Sequence, residues 1–184
     1  MECKLIRSFI CIELGDEAIK EAARVQEILS GEKFTGKMTE LENLHLTLKF
    51  LGEIDDEKLE KVKDRLKKIE FKEFEGRLLD AGVFSVRGNP KIVWIKLGGK
   101  EIFDLQSKID EALKDLFPKE ERFMSHMTIA RVRYVKQSKE FIKYVENMGV
   151  KEVKWKVNGF YLKKSELKSP GPVYTTLEEY KLAE

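Results

Sequence analysis

Both histidines of this 184-residue chain stand in the same four-residue frame, histidine–apolar–threonine–apolar. The first frame is HLTL, beginning at His45, and the second is HMTI, beginning at His126. Threonine occupies only 6 of the 184 positions, so a chance match of both histidines at this spacing would be rare. We therefore predict that the fold brings the two imidazoles, each with its threonine, into one functional site.

The elements predicted around each motif follow the same order: strand, helix, histidine strand, helix, strand. Apolar residues recur at helical spacing between the strands, for example Leu59, Val62 and Leu66, and the predicted helices end near Gly or Pro. The two motifs lie about half the chain length apart. We predict an α+β fold of one bilobal domain, residues 1–184, with similar halves at about 1–88 and 89–184. Each lobe is expected to be an antiparallel sheet with helices on its outer face.

Within a strand, residues two apart point to the same face of the sheet. His45 therefore projects with Thr47, and His126 projects with Thr128. The apolar residues between them point to the opposite face, where helices can cover them. If the open faces of the two sheets meet, the imidazoles and hydroxyls converge in a cleft between the lobes.

Composition limits the partners and the compartment. The 35 basic residues nearly balance the 33 acidic ones, and the net charge of +2 argues against a strongly basic, non-specific nucleic-acid binder. Cys3 and Cys11 do not form a CxxC pair, and the first apolar run is too short and too charged for a membrane span. We expect a cytoplasmic monomer without membrane contact. Abundant Lys and Glu with few Gln and Asn are typical of heat-adapted proteins.

Two imidazoles suit acid–base chemistry, because one neutral ring can accept a proton while a protonated ring donates one near neutral pH. Hydroxyls beside them can bind the oxygens of an anion, and this combination suits cleavage of a phosphodiester. A metal site is the main rival, but neither motif is flanked by Asp, Glu or Cys ligands, so we expect no metal and no cofactor. Nucleophilic catalysis has no support either, because no G-x-S-x-G is present and Cys11 has no visible partner.

The paired motifs resemble those of the 2H phosphoesterases. HLTLKFLGE and HMTIARV are similar to the 2′-5′ RNA ligase branch, the RNA 2′,3′-cyclic phosphodiesterases, and the resemblance covers the whole chain. The opening RSFICIEL and the closing KSEL and GPVY are also similar to that branch. Ser125 and Cys11 depart from it, since proline and alanine are common at these positions.

The resemblance implies metal-independent hydrolysis of a 2′,3′-cyclic phosphate to a 2′-phosphate, and possible joining of RNA ends by the reverse reaction. The implied substrate is RNA with a cyclic phosphate end, tRNA fragments included. His45 would be the acid, His126 the base, and Thr47 and Thr128 would hold the phosphoryl oxygens. The symmetry of the motifs leaves the choice of acid and base open.

Four further residues are candidates for substrate binding. Lys49 shares the strand parity of His45 and could neutralise phosphate charge, although a solvated lysine fits equally well. Arg131 would point away from His126 on strict alternation, and only a bulge or twist would turn it into the cleft. Phe9 could stack on a base or belong to the core, and Arg122 is a candidate only because it lies near the second motif.

Two other functions remain open from the sequence. The same fold could bind a nucleotide or an RNA end without turnover, although intact motifs in both halves argue against this. Alternatively, the protein could be a scaffold or bind a partner, with structural histidines, in which case both rings would be buried and their loss would mainly reduce stability.

Overall fold

The computed structural model describes residues 5–169 and 171–184. Cys3 lies outside the described residues. The nine strands of this part of the chain are β1 Ile6–Glu13, β2 Phe34–Met38, β3 His45–Ile54, β4 Phe74–Val86, β5 Asn89–Gly98, β6 His126–Val135, β7 Lys154–Val157, β8 Gly159–Leu167 and β9 Pro172–Lys181. The helices are α1 Asp16–Ser30, α2 Asp56–Leu66, α3 Lys100–Ala112 and α4 Ser138–Glu146, with a short 3-10 helix at Leu41–Asn43.

The strands form two antiparallel sheets, which confirms the predicted α+β class. The four-stranded sheet has the order β3-β1-β8-β9, and the five-stranded sheet has the order β2-β6-β5-β4-β7. Helices α1 and α4 pack against the five-stranded sheet, while α3 packs against β3 of the four-stranded sheet and α2 packs against α3. The sheets contact each other through β3 and β6, the two strands that begin with a histidine.

The predicted assignment of one lobe to each half of the chain is wrong. The four-stranded sheet combines β1 and β3 from the first half with β8 and β9 from the end of the chain. The five-stranded sheet takes β2, whose residues were not predicted to form a strand, and β4 from the first half. Near the end of the chain, two successive strands belong to different sheets, because the chain leaves one sheet at Val157 and enters the other at Gly159.

Apolar spacing identifies the buried face of each helix correctly. In α1 the residues Ala18, Ala22, Val25 and Leu29 are fully buried. Asp55 precedes helix α2, and its side chain accepts a hydrogen bond of 2.8 Å from the backbone N–H of Lys58, which caps the first turn. Among the described residues, no helix is both long enough and apolar enough to span a membrane.

Both histidine strands carry a β-bulge at the same place in the motif. In β3, Thr47 pairs with Cys11 and Lys49 pairs with Ile10, which leaves Leu48 as the extra residue. In β6, Thr128 pairs with Trp94 and Ala130 pairs with Val93, which leaves Ile129 as the extra residue. A bulge puts two consecutive residues on one side and reverses the alternation beyond it. The fifth residue after each histidine, Phe50 or Arg131, consequently returns to the face of the histidine.

Candidate active site

A cavity of about 450 Å³ lies where the two sheets face each other, and both histidine motifs line it. The four-stranded sheet contributes Arg7, Phe9, His45, Thr47, Phe50, Ser165, Leu167, Pro172 and Tyr174, and the five-stranded sheet contributes Lys37, Met38, His126, Thr128 and Arg131. The predicted convergence of two imidazoles and two hydroxyls is therefore present in the structure. Leu46, Leu48, Met127 and Ile129 point into the core and are buried, as the alternation predicts.

His45 is held by two hydrogen bonds. Its Nδ1 lies 2.7 Å from the backbone oxygen of Asn43, and its Nε2 lies 2.9 Å from Oγ1 of Thr47. Because a carbonyl oxygen only accepts, Nδ1 carries the proton in the neutral ring, and Nε2 is free to accept one. The rings of Phe9 and Tyr174 pack against the imidazole, with centroids 4.8 and 5.3 Å away.

His126 has the same backbone anchor. Its Nδ1 lies 2.7 Å from the carbonyl oxygen of Met124, which, like Asn43 for His45, is two residues earlier in the chain. The ring of Phe84 packs edge-on against the imidazole at 4.9 Å. Both anchors select the same tautomer and leave Nε2 of each ring as the atom that can exchange a proton with a ligand.

Burial and, to a lesser extent, the positive charge of Lys163 lower the pKa of His45 to about 4. The hydrogen bond to the carbonyl of Asn43 opposes this effect, because a charged ring would also donate to that oxygen. His45 is therefore neutral in the free protein at pH 7. A bound anion beside Nε2 would favour the protonated form and raise this pKa.

The cavity is rich in positive charge. Arg7, Lys37 and Arg131 line it, while Glu40 is the acidic residue among its lining side chains and accepts a hydrogen bond of 2.5 Å from Lys37. Arg131 reaches this position because of the Ile129 bulge. Burial raises the pKa of the Tyr174 hydroxyl on the facing sheet, and the positive charge of Arg131 partly opposes this rise. An arrangement of this kind suits an anionic ligand that touches both sheets.

Lys49 does not line the cavity, so its predicted contact with phosphate is wrong. The Leu48 bulge turns its side chain away from His45 and into the core, where only 5% of the residue is exposed. There Lys49 pairs with Asp110 and donates a hydrogen bond of 2.8 Å to the carbonyl of Pro118. Its charge is thus neutralised inside the protein and is directed at α3 rather than at a ligand.

Several cavity residues were not among the predicted site residues. Arg7, Ser165 and Tyr174 lie in the opening and closing segments that are similar to the family. That similarity is the sequence feature by which they could have been identified. Phe9 is almost fully buried, yet it lines the cavity and contacts His45. Arg122 is exposed and is not among the residues that line the cavity.

A metal centre and a reactive thiol are two other kinds of site that the residue types could form. Within residues 5–169 and 171–184, no three His, Cys, Asp or Glu side chains come together in a way that could hold a metal ion. Cys11, which pairs with Thr47 in the neighbouring strand, is fully buried, and burial raises the pKa of its thiol to about 12. Since the thiolate is the reactive form, Cys11 is not a nucleophile at neutral pH.

Sequence comparison relates the chain to known phosphoesterases. The family described as LigT like Phosphoesterase matches residues 12–94 and 97–174, and each segment contains one of the histidine motifs. A protein of Archaeoglobus fulgidus named RNA 2′,3′-cyclic phosphodiesterase is 32% identical over 95% of this chain and 99% of its own length. A protein of the same name from Methanothermobacter thermautotrophicus is 32% identical over 96% of this chain and 99% of its own length.

Solved structures share the fold. A crystal structure of a Thermus thermophilus protein superposes with a TM-score of 0.80 at 26% identity, covering 96% of this chain and 97% of the other. The crystal structure of Escherichia coli LigT complexed with 3′-AMP has a TM-score of 0.76 at 21% identity, covering 98% of this chain and all of that chain. The bilobal arrangement of two sheets is therefore common to these proteins.

Proposed function

The chain belongs to the LigT-like phosphoesterase family, and on that basis we propose that it hydrolyses the 2′,3′-cyclic phosphate at the end of an RNA to a 2′-phosphate. The curated relatives at 32% identity over nearly their full length carry the name of this activity. The observation on which the proposal rests is that His45 and His126 line one cavity, each with Nδ1 tied to a carbonyl and Nε2 left for proton exchange.

The proposed reaction needs two proton transfers. A neutral imidazole takes a proton from water as the water oxygen forms a bond to phosphorus, and the bond from phosphorus to the 3′ oxygen breaks. The other imidazole, protonated, gives its proton to the departing 3′ oxygen. The product is a 2′-phosphomonoester with a free 3′-hydroxyl. Thr47, Thr128 and Arg131 bind the non-bridging oxygens, where negative charge accumulates.

The resemblance assigns the acid role to His45, whereas burial keeps His45 neutral in the free protein. His45 can still act as the acid if binding of the anionic substrate favours the protonated form of its imidazole. A phosphodiester anion beside Nε2 raises the pKa of His45 in the complex, so the ring can acquire its proton as the substrate binds. His126 is then the base.

Run in reverse, the same two transfers would join a 2′,3′-cyclic end to a 5′-hydroxyl and give a 2′-5′ linkage. Hydrolysis competes with this joining because water is always present, so ligation requires that a second RNA end be held in the cavity. We propose hydrolysis as the main reaction. The alternative, capture of an RNA end without turnover, is distinguished by the experiment that follows.

An RNA oligonucleotide with a 2′,3′-cyclic phosphate should be converted to the 2′-phosphate product, and an excess of EDTA should leave the rate unchanged. The imidazoles supply both proton transfers, so no step is assigned to a metal. Product identity is read by chromatography against 2′- and 3′-phosphate standards. Formation of the 3′-phosphate, or loss of turnover with EDTA and recovery with a divalent ion, would refute the mechanism. Binding without turnover would favour the capture function.

The dependence of kcat/KM on pH should be bell-shaped, with its acidic limb near pH 4. Activity requires one proton on the pair of histidines, whichever ring carries it. As the pH falls through the His45 pKa of about 4, His45 is protonated as well, so the pair has no neutral imidazole left to act as the base. An acidic limb near pH 6.5, the ordinary value for imidazole, would contradict the structure. In Tyr174→Ser, which removes a ring packed on His45, the limb should move upward.

A further inference from the structure

Tyr134 lies near the end of β6, and 63% of the residue is exposed. It pairs with Thr35 of β2, and three residues earlier Arg131 pairs with Lys37. Arg131 and Lys37 line the cavity, and Thr35, two residues from Lys37 on the same strand, shares its face of the sheet. A second bulge in β6, which leaves Arg133 as the extra residue, brings Tyr134 to this face too. The open face of the sheet thus continues from the cavity to an exposed aromatic ring.

The ring of Tyr134 belongs to the surface just outside the cavity. Thr35 and Lys37 are ~7 Å apart along an extended strand, so the ring lies about one strand step beyond the cationic wall of the cavity. Tyr134 itself is not among the residues that line the cavity. An exposed aromatic residue is common on protein surfaces, so its surroundings must indicate whether it binds a ligand.

The segments that surround Tyr134 are basic, although the net charge of the chain is only +2. Residues 33–39 and 122–139 contain no Asp or Glu. The basic residues on or beside β2 and β6 are Lys33, Lys37, Arg131, Arg133 and Lys136. In contrast, every strand of the four-stranded sheet contains glutamate, at positions 13, 53, 166, 178 and 179. An anionic chain that leaves the cavity is therefore attracted along β2 and β6.

We propose that the open face of β2 and β6 binds the unpaired RNA strand that leads into the cavity, and that Tyr134 stacks on the base of the nucleotide before the terminal one. This inference rests on the proposed function and specifies its substrate as a single strand of more than one nucleotide. The terminal ribose carries the cyclic phosphate, so the strand leaves the cavity through the 5′ oxygen of that ribose. Basic side chains along the backbone and an aromatic ring under a base are the means by which proteins hold single-stranded nucleic acid.

Binding measurements test the strand site without depending on turnover. We would measure by calorimetry the Kd of adenosine 2′-monophosphate and of an adenosine trinucleotide that ends in a 2′-phosphate. The unmodified protein should bind the trinucleotide more tightly. Tyr134→Ala should reduce this advantage by ~10-fold or more, the effect of losing one base–aromatic stack, and should leave the Kd of the mononucleotide unchanged. Tyr134→Trp, which keeps a flat ring, should retain the advantage.

Phe103→Ala is the matched control. Phe103 is an aromatic residue of α3 that is 43% exposed and is not among the residues that line the cavity. Its replacement should leave the advantage of the trinucleotide unchanged. The strand site is refuted if Tyr134→Ala weakens both ligands equally or weakens neither, or if the unmodified protein binds the two ligands with the same Kd.

The salt dependence of trinucleotide binding tests the basic residues. Arg133→Gln/Lys136→Gln should reduce the slope of log K against log salt by ~0.7 for each phosphate contact that is lost. Lys20→Gln/Lys61→Gln, which removes the same charge from exposed positions on α1 and α2, should leave the slope unchanged. An unchanged slope in the first variant would show that the RNA does not follow β2 and β6.

The same protein samples separate this inference from the hydrolytic proposal. If Tyr134→Ala loses the advantage of the trinucleotide but the unmodified protein does not convert a cyclic-phosphate RNA, the strand site stands and the hydrolytic proposal fails. If turnover occurs and Tyr134→Ala keeps the advantage, the hydrolytic proposal stands and the strand site fails.

Discussion

Replacing His45 or His126 by alanine is expected to lower kcat/KM for a cyclic-phosphate RNA by ~10²–10⁴-fold, the contribution of one general acid or base. Each ring offers its Nε2 to the cavity and has its other nitrogen bound to a carbonyl, so a small side chain cannot take over the proton transfer. The rates are measured under single-turnover conditions, with circular dichroism and thermal unfolding to verify that the variants fold.

The double variant His45→Ala/His126→Ala is the internal control for this prediction. If the two rings act as a unit, the double variant should be little worse than the poorer single variant, because removing either ring already disables the pathway. Near-full activity in a folded single variant would refute the catalytic assignment. A large fall in thermal stability in both single variants would instead favour the structural role for the histidines.

Replacing Asp110 by alanine is expected to lower the free energy of unfolding by ~3–5 kcal/mol, because it leaves the charge of Lys49 buried without its partner. Asp110 is 2% exposed and also accepts hydrogen bonds from the side chain of Gln106 and the backbone N–H of Glu120, at 2.8 and 3.0 Å. Burial alone would raise its pKa, but the hydrogen bonds from Lys49 and these two groups outweigh burial and hold it below the ordinary value. Urea unfolding at pH 7 gives the measurement.

Two variants show whether the lost charge pair is the cause. Lys49→Met/Asp110→Leu removes both charges and should be much more stable than Asp110→Ala, since apolar residues of similar size can replace a buried ion pair. Lys61→Met removes one partner of an exposed pair with Glu57 and should leave the unfolding free energy nearly unchanged. If Asp110→Ala proved as stable as Lys61→Met, the pair would not be the strong internal link that the structure indicates.

Lys49 and Arg131 show where the alternation of side chains along a strand stops predicting which face a residue occupies. Alternation places His45 with Thr47 and His126 with Thr128 correctly, because no irregularity intervenes within two residues. Beyond the threonine the alternation is reversed in both strands, which sends Lys49 into the core and brings Arg131 into the cavity. A bulge depends on pairing with the neighbouring strand, so it leaves no clear mark in the residues of its own strand.

The helices could be predicted because their apolar spacing is local, whereas the pairing of the sheets could not. The periodic positions of α1, such as Val25 and Leu29, are buried as expected. The repeated order of elements suggested that each half forms its own sheet, but β1 pairs with β8, far along the chain. Which strands become neighbours depends on contacts between distant segments, and a single sequence shows these only weakly.

The pairing of β1 with β8 has a consequence for synthesis of the protein. Strand β1 leaves the ribosome early, but Ser8 and Cys11 acquire their partners Lys164 and Tyr161 only after most of the chain has been translated. The ring of Tyr174, which packs on His45, follows later still. A nascent chain therefore cannot assemble the cavity while its C-terminal strands are still in the exit tunnel. A chain truncated before β8 lacks one wall of the cavity.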